Sequence, residues 1–313
     1  MAGTLAAASG LGEAARMTLA ACRALDLPTW PIDVSPSFPG TRPVALPPGT
    51  GNLPPAGVPL IWHVNAPHLA WASLAVPRAL VSRRRVVGFW FWEGERLPSD
   101  WRKGFRFVHE VWTGSRFSAA AIARDFPGTV RVVPLPLAKA PPRPAPLSRA
   151  ELGLPEDAVV VLVSFNLASS CVRKNPEGAI AAFRRAFGDR TDRLLLLRIG
   201  NPDAFPEDFR WIGSMAAGAP NIRIDTRPLP TAECHAITAA SDIVLSLHRA
   251  EGFGLVPAEA MLLGKPVVAT GWSGNLDFMD EESAALVPYR LVEARDPRGI
   301  YAVPGTRWAE PAA

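Results

Sequence analysis

The sequence has little of what marks secreted or membrane proteins. Its 313 residues contain three cysteines, Cys22, Cys171 and Cys234, scattered without the spacing of metal ligands, and this usage indicates a reducing cytosol. No apolar run reaches the length that spans a bilayer, and the first residues lack the basic start and long apolar block of a signal peptide. These absences predict a cytoplasmic protein.

Composition narrows the class further. Hydrophobic residues make up 48% and charged residues 20%, which argues against disorder and allows a sizeable core, divided between two domains. The net charge of +4 comes with abundant arginine, alanine and proline. The coding bias of a GC-rich genome produces this composition, so the positive charge does not indicate nucleic-acid binding. The run Arg83-Arg84-Arg85 predicts a solvated element end, with contact to an anionic membrane surface as the alternative.

A proline-rich stretch divides the chain. Five prolines fall between residues 136 and 147, and the stretch has no hydrophobic period, so residues 141–157 are predicted to be a stiff linker. Residues 1–140 and 158–313 each alternate short apolar runs with amphipathic segments, a pattern typical of parallel α/β domains. Two such domains joined by a linker predict a ligand cleft between them.

The apolar pattern also locates the secondary structure. Strands are predicted at residues 59–65, 85–92, 110–115 and 130–135 of the first half and at 158–165, 193–200, 221–226, 242–247 and 265–270 of the second. Helices are predicted at residues 12–25, 116–126, 175–187, 231–241 and 256–263.

The stretch "SLHRAEGFGLVPAEAMLLGKPVVAT", residues 246–270, places two acids next to a helix start. The N-terminus of that helix favours an anion such as a diphosphate, and Gly252 and Gly254 let the backbone approach a ligand closely. A carboxylate there would repel a phosphate, so Glu251 is predicted to accept sugar hydroxyls instead, and Glu259 the hydroxyls of a ribose. The alternative is that both acids favour only the helix dipole and solvent.

Three motifs carry a resemblance to one family. "EGFGLVPAEAMLLGKPVVAT" resembles the E-x7-E signature of retaining glycosyltransferases with the GT-B fold, in particular family 4. "FNLASSCVRKNPEGAIAAFRRAF" resembles the basic-loop region of that family, and "WSGNLDFM" the turn that follows in its bacterial polysaccharide branch. The matches keep their order over residues 158–311. The resemblance implies two Rossmann-like parallel-sheet domains that face a cleft.

The resemblance implies a role for each matching position. Glu251 would hold the hydroxyls of the donor sugar, and Glu259 would bind the nucleotide ribose. Arg173 and Lys174 would grip the diphosphate and stabilise the negative charge that glycosyl transfer builds on the departing phosphate; a solvated helix start is the alternative for this pair. The backbone beside the sugar and diphosphate would come from Gly252, Phe253, Gly254 and Leu255.

The resemblance also implies the substrates. The donor would be a nucleotide-sugar, with GDP-mannose and UDP-glucose both open, and the acceptor a glycan or lipid-linked sugar of polysaccharide biosynthesis at the cytoplasmic face of the inner membrane. No D-x-D pair occurs in the sequence, so neither a metal nor a cofactor is expected. Many family members carry an arginine or lysine where this chain has Ser164-Phe165-Asn166, so Arg173 and Lys174 would act without it.

The start of the chain supports a rival hypothesis. Residues 10–15 fit G-x-G-x-x-A, and Asp33 follows where a dinucleotide site places its acid, which predicts a nicotinamide- or flavin-dependent oxidoreductase. The preceding apolar run is short for a strand and Asp33 lies among prolines, so the context of this motif is poor. In a GT-B glycosyltransferase, the loop with Gly10 and Gly12 would instead face the cleft near the donor phosphate and the acceptor.

Aromatic and polar residues at strand ends indicate an acceptor side. "GFWFWEGERLP" resembles a W-E-x-x-x-L-P segment that lines the acceptor side in the bacterial branch, which implicates Trp92 and Glu93, and rings beside carboxylates suit a sugar. Core packing is the alternative, expected for one face of this run. His63 and Asn65 end another strand and could also face the cleft, whereas His109 is predicted to be structural.

Both chain ends are short against that family. Only "MAGTLAAAS" precedes Gly10 where family members open with a full apolar strand, and family members continue well beyond a "WAEP"-like segment. The expectation is a truncated form, or a chain that compensates by self-association, with low or absent activity while nucleotide binding persists. A catalytically inactive GT-B-like binding protein is therefore the second rival.

Overall fold

In a computed structural model, which describes residues 1–38 and 43–312, the chain divides into two compact units, residues 1–140 and 141–313. Each unit is built on a six-stranded parallel sheet with helices between the strands. The predicted α/β class, with two Rossmann-like parallel sheets, is therefore confirmed.

The first unit holds a sheet of short strands. Its strands are β1 (Ala2–Gly3), β2 (Ile32–Asp33), β3 (Leu60–His63), β4 (Val86–Phe89), β5 (Glu110–Thr113) and β6 (Thr129–Val132). Its helices are α1 (Gly10–Ala24), α2 (Leu69–Leu74), α3 (Arg78–Val81), α4 (Arg102–Phe105) and α5 (Arg116–Ala123). The strand order is β2-β1-β3-β4-β5-β6, so chain direction across the sheet reverses between β1 and β3.

The second unit has longer central strands. Its sheet strands are β7 (Val159–Asn166), β8 (Arg193–Gly200), β9 (Ile222–Asp225), β10 (Ile243–Ser246), β11 (Val267–Thr270) and β12 (Ala285–Val287). Its helices are α6 (Arg149–Leu152), α7 (Cys171–Lys174), α8 (Pro176–Phe187), α9 (Pro206–Ala216), α10 (Thr231–Ala240) and α11 (Leu255–Leu262). The order β12-β11-β10-β7-β8-β9 is that of a dinucleotide-binding Rossmann sheet, with the reversal between β7 and β10. An antiparallel hairpin, β13 (Tyr289–Glu293) and β14 (Arg307–Pro311), follows the sheet.

The central strands of the second unit carry continuous apolar runs, residues 159–163 of β7 and 194–197 of β8, because helices cover both faces. Leu162 and Leu196 belong to a core that includes Ile237 of α10. Their strand neighbours point the other way, and Val163 belongs to a second core with Phe183 of α8. This two-sided burial explains why continuous apolar runs, rather than alternating ones, located β7 and β8.

The proline-rich stretch packs against the second unit. Leu152 and Leu154 are buried in its core, and α6 begins with a capping box between Ser148 and Glu151. The backbone N–H of Ala145 donates to the carbonyl of residue 232 at 2.8 Å.

Some elements lie outside the predicted ones. The predicted strands and helices agree with the structure to within a few residues. The elements that were not predicted are β2, β12, the β13–β14 hairpin, α9 and the short helices α2, α3, α4, α6 and α7. The side chains of β13 are mostly exposed, so the sequence there lacks the apolar period that marks a buried strand.

Candidate active site

A pocket lies where the second sheet reverses direction, and it is called here the β7–β10 pocket. Parallel sheets bind ligands at this point because the connections on its two sides run to opposite faces and leave a crevice. Four predicted site residues, Lys174, Glu251, Gly254 and Leu255, share the pocket. Its lining comprises Val163, Ser164, Phe165, Lys174, Leu245, Ser246, Glu251, Gly254, Leu255, Val256 and Pro257.

Glu251 meets both predicted basic residues in this part of the unit. The ammonium group of Lys174 donates to Oε1 of Glu251, and Nη1 of Arg173 lies 3.3 Å from the same oxygen. The acid comes from the loop after β10, and the two cations come from the end of α7. Two positive charges against one negative charge leave the cluster net positive, which favours an anionic ligand.

The cations hold Glu251 in its ionised form. Burial alone raises the pKa of the Glu251 carboxyl, but the charges of Lys174 and Arg173 outweigh burial and lower the pKa to about 2. An ionised carboxylate only accepts hydrogen bonds, so it suits a ligand that presents hydroxyl donors.

The structure gives the two basic residues different surroundings. Arg173 is 2% exposed, and it donates from Nε to the carbonyl of Ser169 at 3.1 Å and from Nη1 to the carbonyl of Ala250 at 2.6 Å. Its guanidinium carbon also lies 5.7 Å above the centre of the Tyr301 ring. Lys174, in contrast, lines the β7–β10 pocket. Arg173 thus ties two loops together, and Lys174 brings its charge to the pocket.

Asn175 fixes the turn that presents these cations. It adopts the left-handed conformation with φ of 55°, between the end of α7 and the start of α8. Its side chain accepts from the N–H of Gly178 at 3.1 Å and donates to the carbonyl of Leu247 at 2.9 Å. The asparagine therefore caps α8 and anchors the turn to the end of β10.

The "WSGNLDFM" motif braces the loop of Glu251. The N–H of Glu251 donates to the hydroxyl of Ser273 at 2.8 Å, and the N–H of Gly274 donates to the carbonyl of Glu251 at 2.9 Å. A Cβ at Gly274 would lie 2.5 Å from the carbonyl oxygen of Gly252. Only glycine fits there, which explains why this motif accompanies the acidic one.

His248 and Asn275 add a buried polar link behind the same loop. Nδ1 of His248 lies 2.9 Å from the hydroxyl of Ser246, and Nε2 lies 3.0 Å from Oδ1 of Asn275. Asn275 also donates to the carbonyl of Thr270 at 3.0 Å. Burial lowers the pKa of His248, so the ring stays neutral at pH 7. Sequence reasoning missed both residues, although they lie inside or beside the quoted motifs.

The first turn of α11 lies at the pocket. Gly254 has φ of +94° and forms the N-cap of α11, a conformation that favours glycine. The ring of Phe253 is buried, 5.0 Å from that of Phe278, so Phe253 packs beside the pocket rather than lining it. The positive end of α11 therefore adds to the positive charge of the site.

Glu259 lies farther along α11 and has a histidine partner. Its Oε1 is 3.4 Å from Nε2 of His235, and Nδ1 of His235 accepts the backbone N–H of Arg143 at 3.1 Å. Because Nδ1 accepts a hydrogen bond, Nε2 carries the ring hydrogen of the neutral imidazole and donates a hydrogen bond to Glu259. The carboxylate keeps its other oxygen for further donors.

The loop between β1 and α1 forms hydrogen bonds with neighbouring protein groups. Gly10 and Gly12 lie inside α1, whose N-cap is Ser9, rather than in the turn that precedes the helix. Arg16 donates to loop carbonyls from the other side. Six backbone N–H groups of this region donate within the protein, those of Leu5, Ala6, Ala7, Ser9, Gly12 and Glu13.

These hydrogen bonds weigh against the dinucleotide hypothesis. A dinucleotide fingerprint uses the N–H groups of such a loop for its pyrophosphate, and six N–H groups of this region donate within the protein instead. The carboxylate of Asp33 is also engaged, since it accepts the N–H of Ala6 at 3.1 Å and the hydroxyl of Ser35 at 2.6 Å. A Cβ at Gly12 would lie 2.4 Å from the carbonyl of Ala7, so close packing accounts for this glycine.

His63 ends β3 and Asn65 follows it, at the reversal point of the first sheet. His63 is completely buried and stacks on Phe89 with 4.7 Å between ring centres. Asn65 exchanges two hydrogen bonds with the backbone of Phe91, each 3.0 Å long. In this arrangement the imidazole contacts protein on all sides, and the amide holds the two strand-end loops together.

The aromatic run at the end of β4 is buried on both faces of the sheet, although core packing was expected for one face. Phe89, Trp90 and Trp92 are 1%, 0% and 4% exposed, and Nε1 of Trp92 donates to the carbonyl of Arg96 at 2.8 Å. Glu93, the adjoining predicted acceptor residue, is partly exposed.

His109 has a structural contact, as predicted. Its Nδ1 accepts the N–H of Val86 at 3.0 Å, which joins the start of β4 to the residue before β5.

Two further searches, for metal-binding groups and for membrane-spanning helices, cover the described residues, 1–38 and 43–312. No three histidine, cysteine, aspartate or glutamate side chains there form a group able to hold a metal ion. In the same part of the chain, no helix combines the length and the apolar character that crossing a membrane requires.

Comparison with known families finds one match that spans most of the chain. The family described as "Family 4 Glycosyltransferase in conflict systems" matches residues 118–310, which is more than half of the sequence. The match includes the β7–β10 pocket and all but the last residue of the hairpin that follows the sheet.

Curated relatives match about half of this chain or less. The D-inositol 3-phosphate glycosyltransferase 1 of Catenulispora acidiphila is 32% identical over 157 residues, which are 48% of this chain and 36% of the relative. The D-inositol 3-phosphate glycosyltransferase of Corynebacterium glutamicum is 34% identical over 131 residues, 41% of this chain and 30% of the relative. The alignments thus span about a third of the length of these relatives.

Solved structures share the fold. A glycosyltransferase from Rickettsia africae superposes with a TM-score of 0.62 and 14% identity over 92% of this chain and 83% of its own. Anabaena HepE in complex with UDP-glucose gives a TM-score of 0.55 and 18% identity over 71% of this chain and 62% of its own. At these identities the likeness concerns the GT-B fold alone.

Proposed function

This chain belongs to the family 4 glycosyltransferases of conflict systems, and we propose from that premise that it transfers a sugar from a nucleotide-diphosphate sugar to a glycan or lipid-linked acceptor. The proposed reaction retains the configuration of the sugar and needs neither a metal nor a cofactor. The β7–β10 pocket would be the donor site.

One observation carries the proposal. Lys174 and Glu251, 77 residues apart in sequence, meet at the reversal point of the second sheet beside the N-terminus of α11. A cation and a helix N-terminus suit a diphosphate, and an ionised carboxylate suits sugar hydroxyls. The two halves of a nucleotide-sugar thus have matching groups in one pocket.

The proposed reaction follows from this assignment of Lys174 to the diphosphate and Glu251 to the sugar. The bond between the anomeric carbon and the diphosphate oxygen breaks, and the acceptor oxygen forms its bond to the same carbon from the same face. The proton of the acceptor hydroxyl passes to the departing phosphate oxygen. Lys174 stabilises the charge on that phosphate, Glu251 holds the sugar, and the buried Arg173 keeps both in place.

A donor screen tests the proposal directly. UDP-glucose and GDP-mannose are the first candidates. UDP-glucose has added support because the structure of Anabaena HepE, which shares the fold, is a complex with UDP-glucose. Each nucleotide-sugar is incubated with the protein, and mass spectrometry follows its hydrolysis and its transfer to added glycans. Binding without turnover of any donor would favour the inactive binding protein, and binding of NAD(P) or FAD would favour the oxidoreductase.

The Glu251→Gln variant links the screen to the pocket. It keeps the size of the side chain but loses the charge that accepts sugar hydroxyls, so we expect transfer to fall at least about hundredfold. Glu281→Gln, a change at an exposed acid of the same unit, is the matched control and should leave transfer unchanged. Unchanged turnover in Glu251→Gln would remove the role assigned to this acid.

The proposed acceptor site lies in the first unit. Gly10 and Gly12 lie in the first turn of α1, after β1, and His63 and Asn65 lie at the end of β3, where that sheet reverses. Reversal points are the places where such sheets bind ligands. Trp92 and Glu93 follow β4, the next strand. Glu93 is the residue of this group to test first, because it is partly exposed. Glu93→Gln should change the KM for the acceptor and leave that for the donor as it is.

Peripheral contact with an anionic membrane completes the proposal. Trp71 and Leu74 on α2 are 67% and 80% exposed, and Arg78 and Arg83 close by in sequence are exposed cations. We expect the protein to sediment with phosphatidylglycerol vesicles, and the double variant Trp71→Ser/Leu74→Ser to lose most of this binding. Trp211→Ser, at a 38% exposed tryptophan of the second unit, should bind as the wild type does.

A further inference from the structure

Residues 289–311, called here the clamp segment, comprise the β13–β14 hairpin and its connecting loop. We propose that the clamp segment positions the Arg173–Lys174 turn against the loop of Glu251, with Asp296, Tyr301 and Glu310 as its positioning residues. The inference rests on the proposed function only in so far as the two loops form the donor site. The positioning itself is a property of this chain's own contacts.

Glu310 makes the first of three connections. Its carboxylate accepts from Nε of Arg249 at 2.8 Å and from Nη2 at 3.0 Å, while Nη1 of Arg249 donates to the carbonyl of Val172 at 2.7 Å. The backbone repeats the link, since Ala309 N–H donates to the carbonyl of Arg249 and Arg249 N–H donates to that of Arg173. Arg249 therefore joins the hairpin to both loops, with a planar fork that a lysine could not reproduce.

Tyr301 makes the second connection. It is 4% exposed, packs on Trp308 with 5.5 Å between ring centres, and presents its face to the guanidinium of Arg173 at 5.7 Å. A cation that lies over an aromatic ring is attracted by it, most strongly when both are buried as here. The ring thus supports the arginine that bridges the two loops.

Asp296 makes the third connection. Its Oδ1 accepts the hydroxyl of Ser170 at 3.1 Å, and its Oδ2 accepts the N–H of Ile300 at 2.9 Å. Ser170 caps α7, the helix that ends with the two cations, and holds φ of +63°. A serine in that conformation needs support from its surroundings, which the aspartate supplies.

These connections predict an effect on turnover rather than on donor affinity. The clamp residues act through Arg173 and Arg249 and need not touch the donor. A displacement of about 1 Å in a catalytic group can cost up to about a hundredfold in rate. Weakening the clamp should therefore lower kcat, because Lys174 acts on charge that develops in the transition state, and leave the donor KM nearly unchanged.

The sequence offers a direct way to observe Lys174. The chain has four lysines, at positions 103, 139, 174 and 265, so reductive methylation with ¹³C-formaldehyde gives few NMR signals, and Lys174→Arg assigns the one of interest. The chain also has two tyrosines, both in the clamp segment: Tyr301, which is buried, and Tyr289, which is 39% exposed. Tyr301→Leu and Tyr289→Leu are therefore a matched pair.

We expect Tyr301→Leu to shift the Lys174 signal and to lower kcat roughly ten- to a hundredfold, with less than about threefold change in the donor KM. Tyr301→Phe keeps the ring and should restore both, and Tyr289→Leu should alter neither. If Tyr301→Leu does not fold, Glu310→Gln takes its place, with Glu293→Gln, at an exposed acid of the same hairpin, as its control.

A folded Tyr301→Leu or Glu310→Gln protein with the wild-type Lys174 signal and kcat would overturn the proposal. The NMR measurement needs no donor, so it separates this inference from the proposed function. A shifted signal in a protein whose wild type turns over no nucleotide-sugar would support the positioning and reject the glycosyltransferase activity.

Discussion

Lys174 donates to the carboxylate of Glu251 across a sequence separation of 77 residues. Burial alone would favour the protonated form of this acid, and the nearby cations reverse that preference. The contact thus keeps a negative charge in a buried place, beside the positive end of α11. The chemistry proposed for the pocket depends on this one relationship.

The stability contributed by Glu251 should depend on pH. Its pKa is about 2 in the folded protein against an ordinary 4.5, so the ionised form stabilises the fold above pH 4.5 and this contribution is lost as pH falls toward about 2. We expect the free energy of unfolding of the wild type to exceed that of Glu251→Gln by up to about 3 kcal/mol at pH 7. Urea denaturation of both proteins from pH 7 to pH 3 should show this gap shrinking below pH 4.5.

The exposed acid Glu281 provides the control for that series. Glu281→Gln should stay within about 0.5 kcal/mol of the wild type at every pH. A gap between wild type and Glu251→Gln that stays constant down to pH 3 would contradict the ion pair described here.

The two neighbouring cations should respond differently to the same substitution. Arg173→Met leaves Glu251 and the carbonyls of Ser169 and Ala250 with fewer donors, so it should cost roughly 3 kcal/mol of stability. The Lys174 side chain is 18% exposed against 2% for Arg173, so Lys174→Met should cost less stability than Arg173→Met, but it should lower kcat about hundredfold, with a smaller effect on donor affinity. Urea denaturation and donor turnover measured on both variants would reveal the opposite pattern if the assignment were reversed.

Gly274 should tolerate no side chain. A Cβ there would lie 2.5 Å from the carbonyl of Gly252 and 2.7 Å from that of Glu251, both backbone atoms that can move only with the loop. We expect Gly274→Ala to lower both the melting temperature and the transfer rate, the latter at least about tenfold.

A second glycine gives the contrast. Gly213 lies inside α9, and a Cβ added to it would meet open space, so Gly213→Ala should raise stability by up to about 1 kcal/mol. Calorimetric melting of both variants decides the point, and equal effects would mean that the Gly274 contact is not restrictive.

Glu259 should recognise the ribose of the donor nucleotide. If its carboxylate accepts both ribose hydroxyls, the wild type should bind UDP more tightly than 2′-deoxy-UDP by roughly tenfold, and Glu259→Ala should bind the two alike. Isothermal titration provides the measurement, and GDP with 2′-deoxy-GDP replaces the pair if the protein prefers guanine. Equal binding of both nucleotides by the wild type would assign Glu259 to a structural role with His235.

The sequence alone predicted much of the second unit. Continuous apolar runs located β7 and β8 because both faces of a parallel sheet are buried, and the glycines around Glu251 marked a turn where the backbone approaches a ligand. The E-x7-E pattern then identified the family. Residues close in sequence carry these signals, so a linear pattern can reveal them.

The remaining features depend on contacts between distant parts of the chain. The sequence could not show that Arg173 would be buried against Tyr301 while Lys174 reached the pocket, because adjacent positions at the end of a short helix point in different directions. Nor could it show that Glu310 holds Arg249, since mostly exposed strands such as β13 carry no hydrophobic period. The sequence by itself determined the α/β class and predicted the acids of the candidate site; only the tertiary structure decided which side chains surround those acids, because long-range packing sets burial and charge.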